Sequence, residues 1–325
     1  MKCRICGNSD ANTSFLISEM RMGMNDIFRY EKCMVCGCLQ IENYPKNIAD
    51  YYPSNYYSIQ NKPHVKKNSS IKTGILKSLA NQTTGYRKNL AGYVLRSIIG
   101  GGTAEKIRDS KISPSGRILE IGCGSGSNLV RLQKYGFTQL LGIDPFIEKD
   151  MEVGNGIRVL KRSVFEFEEK DFDLVFLNHV FEHMPDQESS LSRMKSFLSP
   201  NGLLVISIPM VDHFLWRKYG VNWVGLDAPR HYYLHSVKSF RMLAEKAGYE
   251  ISRIEFKTTA FDFWASEQYL KGVPLQDESS YYFKKKNNTL FDSKAIKSFT
   301  KKAKELDSIL DGSTAMFHLK VSKHA

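Results

Sequence analysis

From residue 117 onward, short apolar runs alternate with segments of helical spacing. Arg117 to Ile121 reads as a buried strand, Asn128 to Tyr135 as a helix closed by Gly136, and Leu140 to Ile143 as a second strand ending in Asp144. Residues 157 to 160 predict a third strand, Phe172 to Leu177 a fourth and Leu203 to Ile208 a fifth. A helix over Gln187 to Leu198 lies between the last two. Strands separated by helices predict an α/β fold with a parallel, doubly wound sheet. Its ligand belongs at the carboxyl ends of the strands. Further along, Val237 to Ala247 predicts a helix, and Tyr249 to Phe256 and Ala315 to Val321 predict strands. Between those strands lie Phe263, Trp264, Tyr269, a Lys284-Lys285-Lys286 run and a helical stretch from Lys294 to Leu310.

Before residue 117 the pattern is weaker. Phe15-Leu16-Ile17 and Ile27, Phe28 and Tyr30 predict a hairpin. An aromatic cluster follows, Tyr44, Tyr51, Tyr52, Tyr56 and Tyr57, suited either to packing between domains or to one wall of a pocket. Ile71, Ile75, Leu76 and Leu79 keep helical spacing, as do Leu90, Val94, Leu95 and Ile98, before Gly100-Gly101-Gly102. The chain therefore divides into a small unit over 1–60, a basic helical connector over 61–112, and an α/β domain over 113–325 with an insertion at about 262–311.

With 42% hydrophobic residues the 325-residue chain can bury a substantial core, which excludes wholesale disorder. The longest apolar run, Leu203 to Val211, is broken by Ser207 and Pro209 and falls far short of the ~20 residues a membrane span needs. The opening MKCRICGNSD has no signal-type apolar stretch, so a soluble, cytoplasmic protein is expected. Charge is uneven. Of the net +12, residues 61–117 carry +10 and residues 284–304 carry +7, leaving the remainder mildly acidic. Such segments are solvated faces or contacts for an anionic partner: a diphosphate, RNA or a lipid surface. The amphipathic connector suits peripheral membrane contact or packing on the next domain.

Six cysteines stand in the chain. Cys3-Arg-Ile-Cys6 and Cys33-Met-Val-Cys36 are two Cys-x-x-Cys pairs, each followed by glycine, Gly7 and Gly37. Two such pairs bring four thiolates onto one ion, and a four-thiolate Zn2+ site is closed and therefore structural. A sixty-residue unit has little core of its own, so the metal would supply much of its stability. A redox pair or free buried thiols are the alternatives, and Cys38 is a spare that could stand in for Cys36.

The loop after the first α/β strand is Gly122-Cys123-Gly124-Ser125-Gly126, between a strand and a helix, with Glu120 just before it. Glycines there allow a tight turn and close backbone approach. An acid ending the second strand, Asp144, can accept from both ribose hydroxyls of a nucleoside. The GxGxG spacing and the preceding carboxylate disfavour a pyrophosphate and suit a cationic ligand.

Four stretches, LEIGCGSGSNL at 119–129, LGIDP at 141–145, FDLVFLNHVFEHMPD at 172–186 and LSPNGLLVISIP at 198–209, resemble the class I S-adenosylmethionine-dependent methyltransferases. The resemblance implies a Rossmann-like sheet ending in an antiparallel hairpin. It implies that Glu120, Gly122, Gly124 and Gly126 face the methionine moiety and that Asp144 holds the ribose. It also implies that Ser163, Val164 and Phe165 line the adenine, and that Asn178 closes the methionine end. Methyl transfer asks the protein to position an acceptor and, for a hydroxyl or carbon acid, to remove a proton. His179 and His183 after the fourth strand and His231 after the fifth are the candidate catalytic groups. His231 is the expected base, in a loop with Trp223, Arg230 and Tyr232.

The four-cysteine unit joined to this core is similar to sugar methyltransferases of deoxysugar and polysaccharide biosynthesis. In those, a His in a Glu-His-x-Ser-Tyr-Phe context is the proposed base; here the run is Arg230-His231-Tyr232-Tyr233. Arg230 in place of Glu leaves C- and O-methylation both open, or lets the arginine grip a diphosphate. The resemblance implies a nucleotide sugar or glycan precursor as acceptor, and allows a homo-oligomer. An RNA methyltransferase is the competing expectation, disfavoured because Asn178-His179-Val180-Phe181 lacks the Asn/Asp-Pro-Pro-aromatic run of base-amino methylases. A catalytically silent binding module is the third.

Overall fold

The protein is described here as a computed structural model covering residues 1–52, 70–87, 89–99, 102–283 and 290–322. Tyr56, Tyr57 and the Lys284–Lys286 run lie outside the described residues. Among the described residues no helix is long and apolar enough to cross a membrane.

Two sheets make up the molecule. Strands β1 (Thr13–Ser18), β2 (Ile27–Lys32) and β3 (Leu39–Ile41) form an antiparallel meander. The larger sheet is built from β4 (Arg117–Ile121), β5 (Gln139–Ile143), β6 (Met151–Val153), β7 (Ile157–Leu160), β8 (Phe172–Asn178) and β9 (Leu198–Pro209). Strand β10 (Tyr233–Leu234) is a short excursion, and β11 (Tyr249–Lys257) and β12 (Thr314–Val321) complete the larger sheet. Its order is β11-β12-β9-β8-β4-β5-β7-β6. β4, β5, β7, β8 and β9 run parallel, while β12 inserts antiparallel between β9 and β11. This is the Rossmann-like methyltransferase fold expected, with its terminal antiparallel hairpin.

The parallel strands read as continuous apolar runs because both faces are covered. Leu119, Ile121, Val175, Leu177, Ile206 and Ile208 pack into one apolar layer, and Ile118, Leu174, Phe176 and Val205 into the opposite one. Helix Gln187–Lys195 stops three residues before the expected Leu198. Phe197 turns into the core, its carbonyl accepts from the Phe172 amide, and Leu198 already pairs with Phe172 as the start of β9.

The small sheet is not self-contained. β10 comes from the segment after β9 and pairs with β3, Tyr233 opposite Gln40 and Leu234 opposite Leu39. Ile17, Tyr30, Leu39 and Ile41 share one apolar cluster with Trp216, Trp223, Phe263, Trp264 and Leu306. The N-terminal unit thus borrows its core from the α/β domain and from the insertion, whose helices are Ala260–Tyr269 and Ser293–Ser308. Phe263, Trp264 and Tyr269 belong to this shared core.

Candidate active site

The loop after β4 is built for close approach. Gly122, Gly124 and Gly126 all have positive φ, +69°, +51° and +73°, a region side chains seldom enter. A Cβ on Gly122 would lie 2.4 Å from Val180 Cγ2, so the segment after β8 is pressed against this loop. At the end of β5, Asp144 Oδ2 accepts from the Gly124 amide and Oδ1 from the Phe146 amide, both at 2.8 Å. These two amides orient the carboxylate and leave a lone pair on each oxygen.

Glu120 is buried beneath the loop. Its Oε1 accepts from Asn128 Nδ2 at 2.7 Å, and its Oε2 has no hydrogen-bond partner among the described residues. Burial pushes its carboxyl up to about 7, opposed by Asn128 and by the Lys106 ammonium. An orphaned carboxylate oxygen at this point fits a ligand that brings a cationic donor. Lys106, on the short turn Gly102–Ile107, carries no local signal in the sequence, since it is one of many lysines in the basic connector. Ser163 donates from its amide and hydroxyl to Glu166 Oε2, Val164 packs into the core, and Phe165 presents an exposed ring. Asn178, half-buried, is the last residue of β8, opposite Ser207.

The three candidate histidines meet around one carboxylate, Glu182, which no sequence motif marks. Glu182 lies on the turn Phe181–His183 and is completely buried. Neither of its oxygens has an aligned hydrogen-bond donor among the described residues. His179 Nδ1 stands 3.3 Å from Glu182 Oε1, and His231 Nε2 stands 3.8 Å from the same oxygen. The His183 and His231 rings meet edge to face at 4.8 Å. Burial would raise the Glu182 pKa, yet the net shift is downward, through His179, His183 and His231.

Each imidazole has a different position. His183 Nδ1 donates to the Arg230 carbonyl at 2.7 Å, with the Tyr52 hydroxyl 3.1 Å away. His231 Nδ1 donates to the Gly225 carbonyl at 2.9 Å, and its Nε2 faces Glu182 and Asp227. Burial and the neighbouring His183 push the His231 imidazole down to about 4. Both nitrogens of His231 are therefore turned into the protein. His179 has a positive φ of 56° and a side chain 45% exposed, so it is the member open to an incoming molecule.

Arg230 and Trp223 do not line the pocket wall expected of them. Arg230 is fully buried, with Nη2 on Glu19 Oε1 at 2.9 Å and on Asp227 Oδ1 at 2.8 Å, and Nη1 on the Tyr51 carbonyl at 3.0 Å. It ties the N-terminal unit to the α/β domain and has no free face for a diphosphate. Trp223 sits in the shared core against His213. Tyr52, expected either as packing or as pocket wall, touches His183, while Tyr44 packs against Tyr232 and bonds Tyr233.

Residues 103–254 match the family model described as a methyltransferase domain. Over this segment, just under half of the chain, the protein is similar to methyltransferase domains, in keeping with its Rossmann-like fold. Curated relatives of the chain include a tRNA U34 carboxymethyltransferase of Idiomarina loihiensis, 27% identical over 50% of this chain and 55% of its own length. A ubiquinone biosynthesis O-methyltransferase of Bradyrhizobium diazoefficiens is 29% identical over 34% of this chain and 46% of its own. Phosphoethanolamine N-methyltransferase 2 of Caenorhabditis elegans is 26% identical over 57% of this chain and 44% of its own. The chain thus spans about half the length of the curated relatives it matches.

Outside the matched methyltransferase segment, the four expected cysteines converge. The sulfurs of Cys3, Cys6, Cys33 and Cys36 all lie within 4.8 Å of one another, with Cys3 to Cys36 at 3.6 Å and Cys6 to Cys33 at 3.5 Å. Thiolates about 2.3 Å from a tetrahedral zinc stand roughly 3.8 Å apart, so the donor set fits that ion. Gln40 Nε2 donates to Cys3 Sγ at 2.9 Å and the Cys36 amide lies 3.5 Å from Cys33 Sγ, the kind of outer bond that steadies a thiolate. Cys38 stands apart from the set, against His235. Ser236 Oγ donates to the Cys36 carbonyl, which fixes the cysteine unit on the methyltransferase domain.

Proposed function

We propose that the chain transfers a methyl group from S-adenosylmethionine to a sugar hydroxyl or carbon, on a nucleotide-linked or polysaccharide precursor. The reading is carried by one observation: Tyr52, and Glu19 through Arg230, bring the N-terminal unit against the histidine cluster, so that this unit would shape the acceptor side for a small molecule. Bound at the loop after β4, the cofactor supplies an electrophilic methyl on a sulfonium. Glu120 and the three glycines would hold its methionine end, Asp144 its ribose, Ser163, Val164 and Phe165 its adenine, and Asn178 would close the site. Cys3, Cys6, Cys33 and Cys36 would hold a structural Zn2+ that shapes the roof.

His179 is the proton acceptor in this reading. Its side chain is the exposed member of the cluster, and Glu182 beside Nδ1 would stabilise the imidazolium that forms. His183 and His231 close the back of the centre. The test is methyl transfer from labelled cofactor to a panel of nucleotide sugars, lipid-linked glycan precursors and bulk tRNA. Transfer to a sugar acceptor is expected, with His179→Ala lowering turnover about 10²–10⁴-fold and leaving cofactor affinity unchanged. Transfer to tRNA alone would replace the reading by the RNA alternative, which the tRNA-modifying relatives and the basic segments favour.

A further inference from the structure

We propose that Glu182, His183 and His231 form a second metal site, taking a divalent transition-metal ion through two imidazoles and one carboxylate. The argument is one of protons. His183 and His231 each donate Nδ1–H to a backbone carbonyl, of Arg230 and Gly225. A neutral imidazole carries one N–H, so Nε2 on each ring bears a lone pair. On His231 that lone pair stands 3.8 Å from Glu182 Oε1 and 3.8 Å from Asp227 Oδ2. Lone pairs opposed in a buried centre repel unless something positive joins them.

Two further observations point to a ligand. Glu182 has no exposed surface, and neither oxygen has an aligned hydrogen-bond donor among the described residues, His179 Nδ1 standing 3.3 Å from Oε1. One ring nitrogen of each histidine and one Glu182 oxygen lie within 4.8 Å of one another. Tetrahedral N and O ligands about 2.1 Å from a metal stand roughly 3.4 Å apart, so a small inward movement closes the site. Imidazoles whose Nδ1 is tied to a carbonyl, with Nε2 left for the ion, are the usual oriented metal ligands, and two His with one carboxylate leave positions open.

Val180, whose side chain lies against Gly122, precedes Glu182 by two residues, and the site shares Glu182 with the exposed His179. Its open positions would take oxygen donors of the acceptor, such as adjacent sugar hydroxyls. That use rests on the proposed function, while the existence of the site does not.

The test is Co2+ substitution in metal-stripped protein, followed by absorbance and elemental analysis. Wild type is expected to bind two Co2+ per chain. One should show the thiolate charge-transfer band of the four-cysteine site, and the other only weak d–d bands of N/O ligation. Glu182→Gln and His183→Gln should each lose the second ion and keep the first, and Cys33→Ser the reverse. Calorimetry with S-adenosylhomocysteine confirms that the variants fold. A wild type that binds only the thiolate-type ion, or a Glu182→Gln variant that keeps the second, overturns the proposal. Methyl transfer to a sugar in protein lacking the second ion would overturn the ion's use toward the acceptor, and leave both the site, which the Co2+ stoichiometry decides, and the proposed function standing.

Discussion

Replacing Arg230 by Met should unlatch the N-terminal unit from the methyltransferase domain. The guanidinium is fully buried and bridges the Glu19 and Asp227 carboxylates, which are 0% and 7% exposed. Methionine matches much of the volume, so the cost is electrostatic. Glu19 would keep three amide donors from its own turn, Arg21, Met22 and Met24, and Asp227 would keep Arg21 at 3.5 Å. Two buried carboxylates would still lose their shared cation. Removing one partner of a buried pair costs about 3–5 kcal/mol, and the residual donors place this case toward the lower end. For a chain of this size that is a fall of roughly 5–10 °C in Tm.

The effect has a pH signature. The Asp227 carboxyl is raised by burial but driven well below its ordinary range by Arg230 and Arg21. A depressed folded pKa stabilises above the unfolded value of about 3.9 and loses that stability as pH falls below it. The gap between wild type and Arg230→Met should therefore be full at pH 7 and shrink below about pH 4. Differential scanning fluorimetry across pH measures this. A change under about 1 kcal/mol, accompanied by a large loss of acceptor affinity, would show that Arg230 grips ligand and that the buried latch is misread.

Two predictions concern the cofactor end. Asp144→Ala should weaken S-adenosylmethionine binding by about 2–4 kcal/mol through two lost ribose bonds, and unchanged affinity in calorimetry would sink the assignment of the β5 end. Cofactor affinity should also fall as pH drops through about 7, because protonation of Glu120 removes the carboxylate facing a cationic ligand. Glu120→Gln should be weak at every pH, and a flat wild-type profile would contradict the role given to Glu120.

Much of the fold was legible in the chain because its signals are local. The parallel strands are short apolar runs, the loop after β4 is three glycines within five residues, and the four clustered cysteines come as two Cys-x-x-Cys pairs. Each follows from hydrophobic period or from spacing within one turn. The histidines were legible as chemistry but not as geometry. Sequence placed His231 beside Arg230 and Trp223 as an open pocket wall; the fold buries all three and leaves His179 exposed. What decided this is contact over distance. Arg230 meets Glu19 across 211 residues and Tyr51 across 179, and the two residues of β10 find β3 only once the core has closed. No period marks such pairings, since a two-residue strand has none and a buried ion pair depends on which side chains the packing brings within reach. Glu182 became the hub for the same reason. Its role exists only where the turn after β8 and the segment after β9 enclose it, and there the low dielectric turns an ordinary carboxylate into the strongest local demand for positive charge.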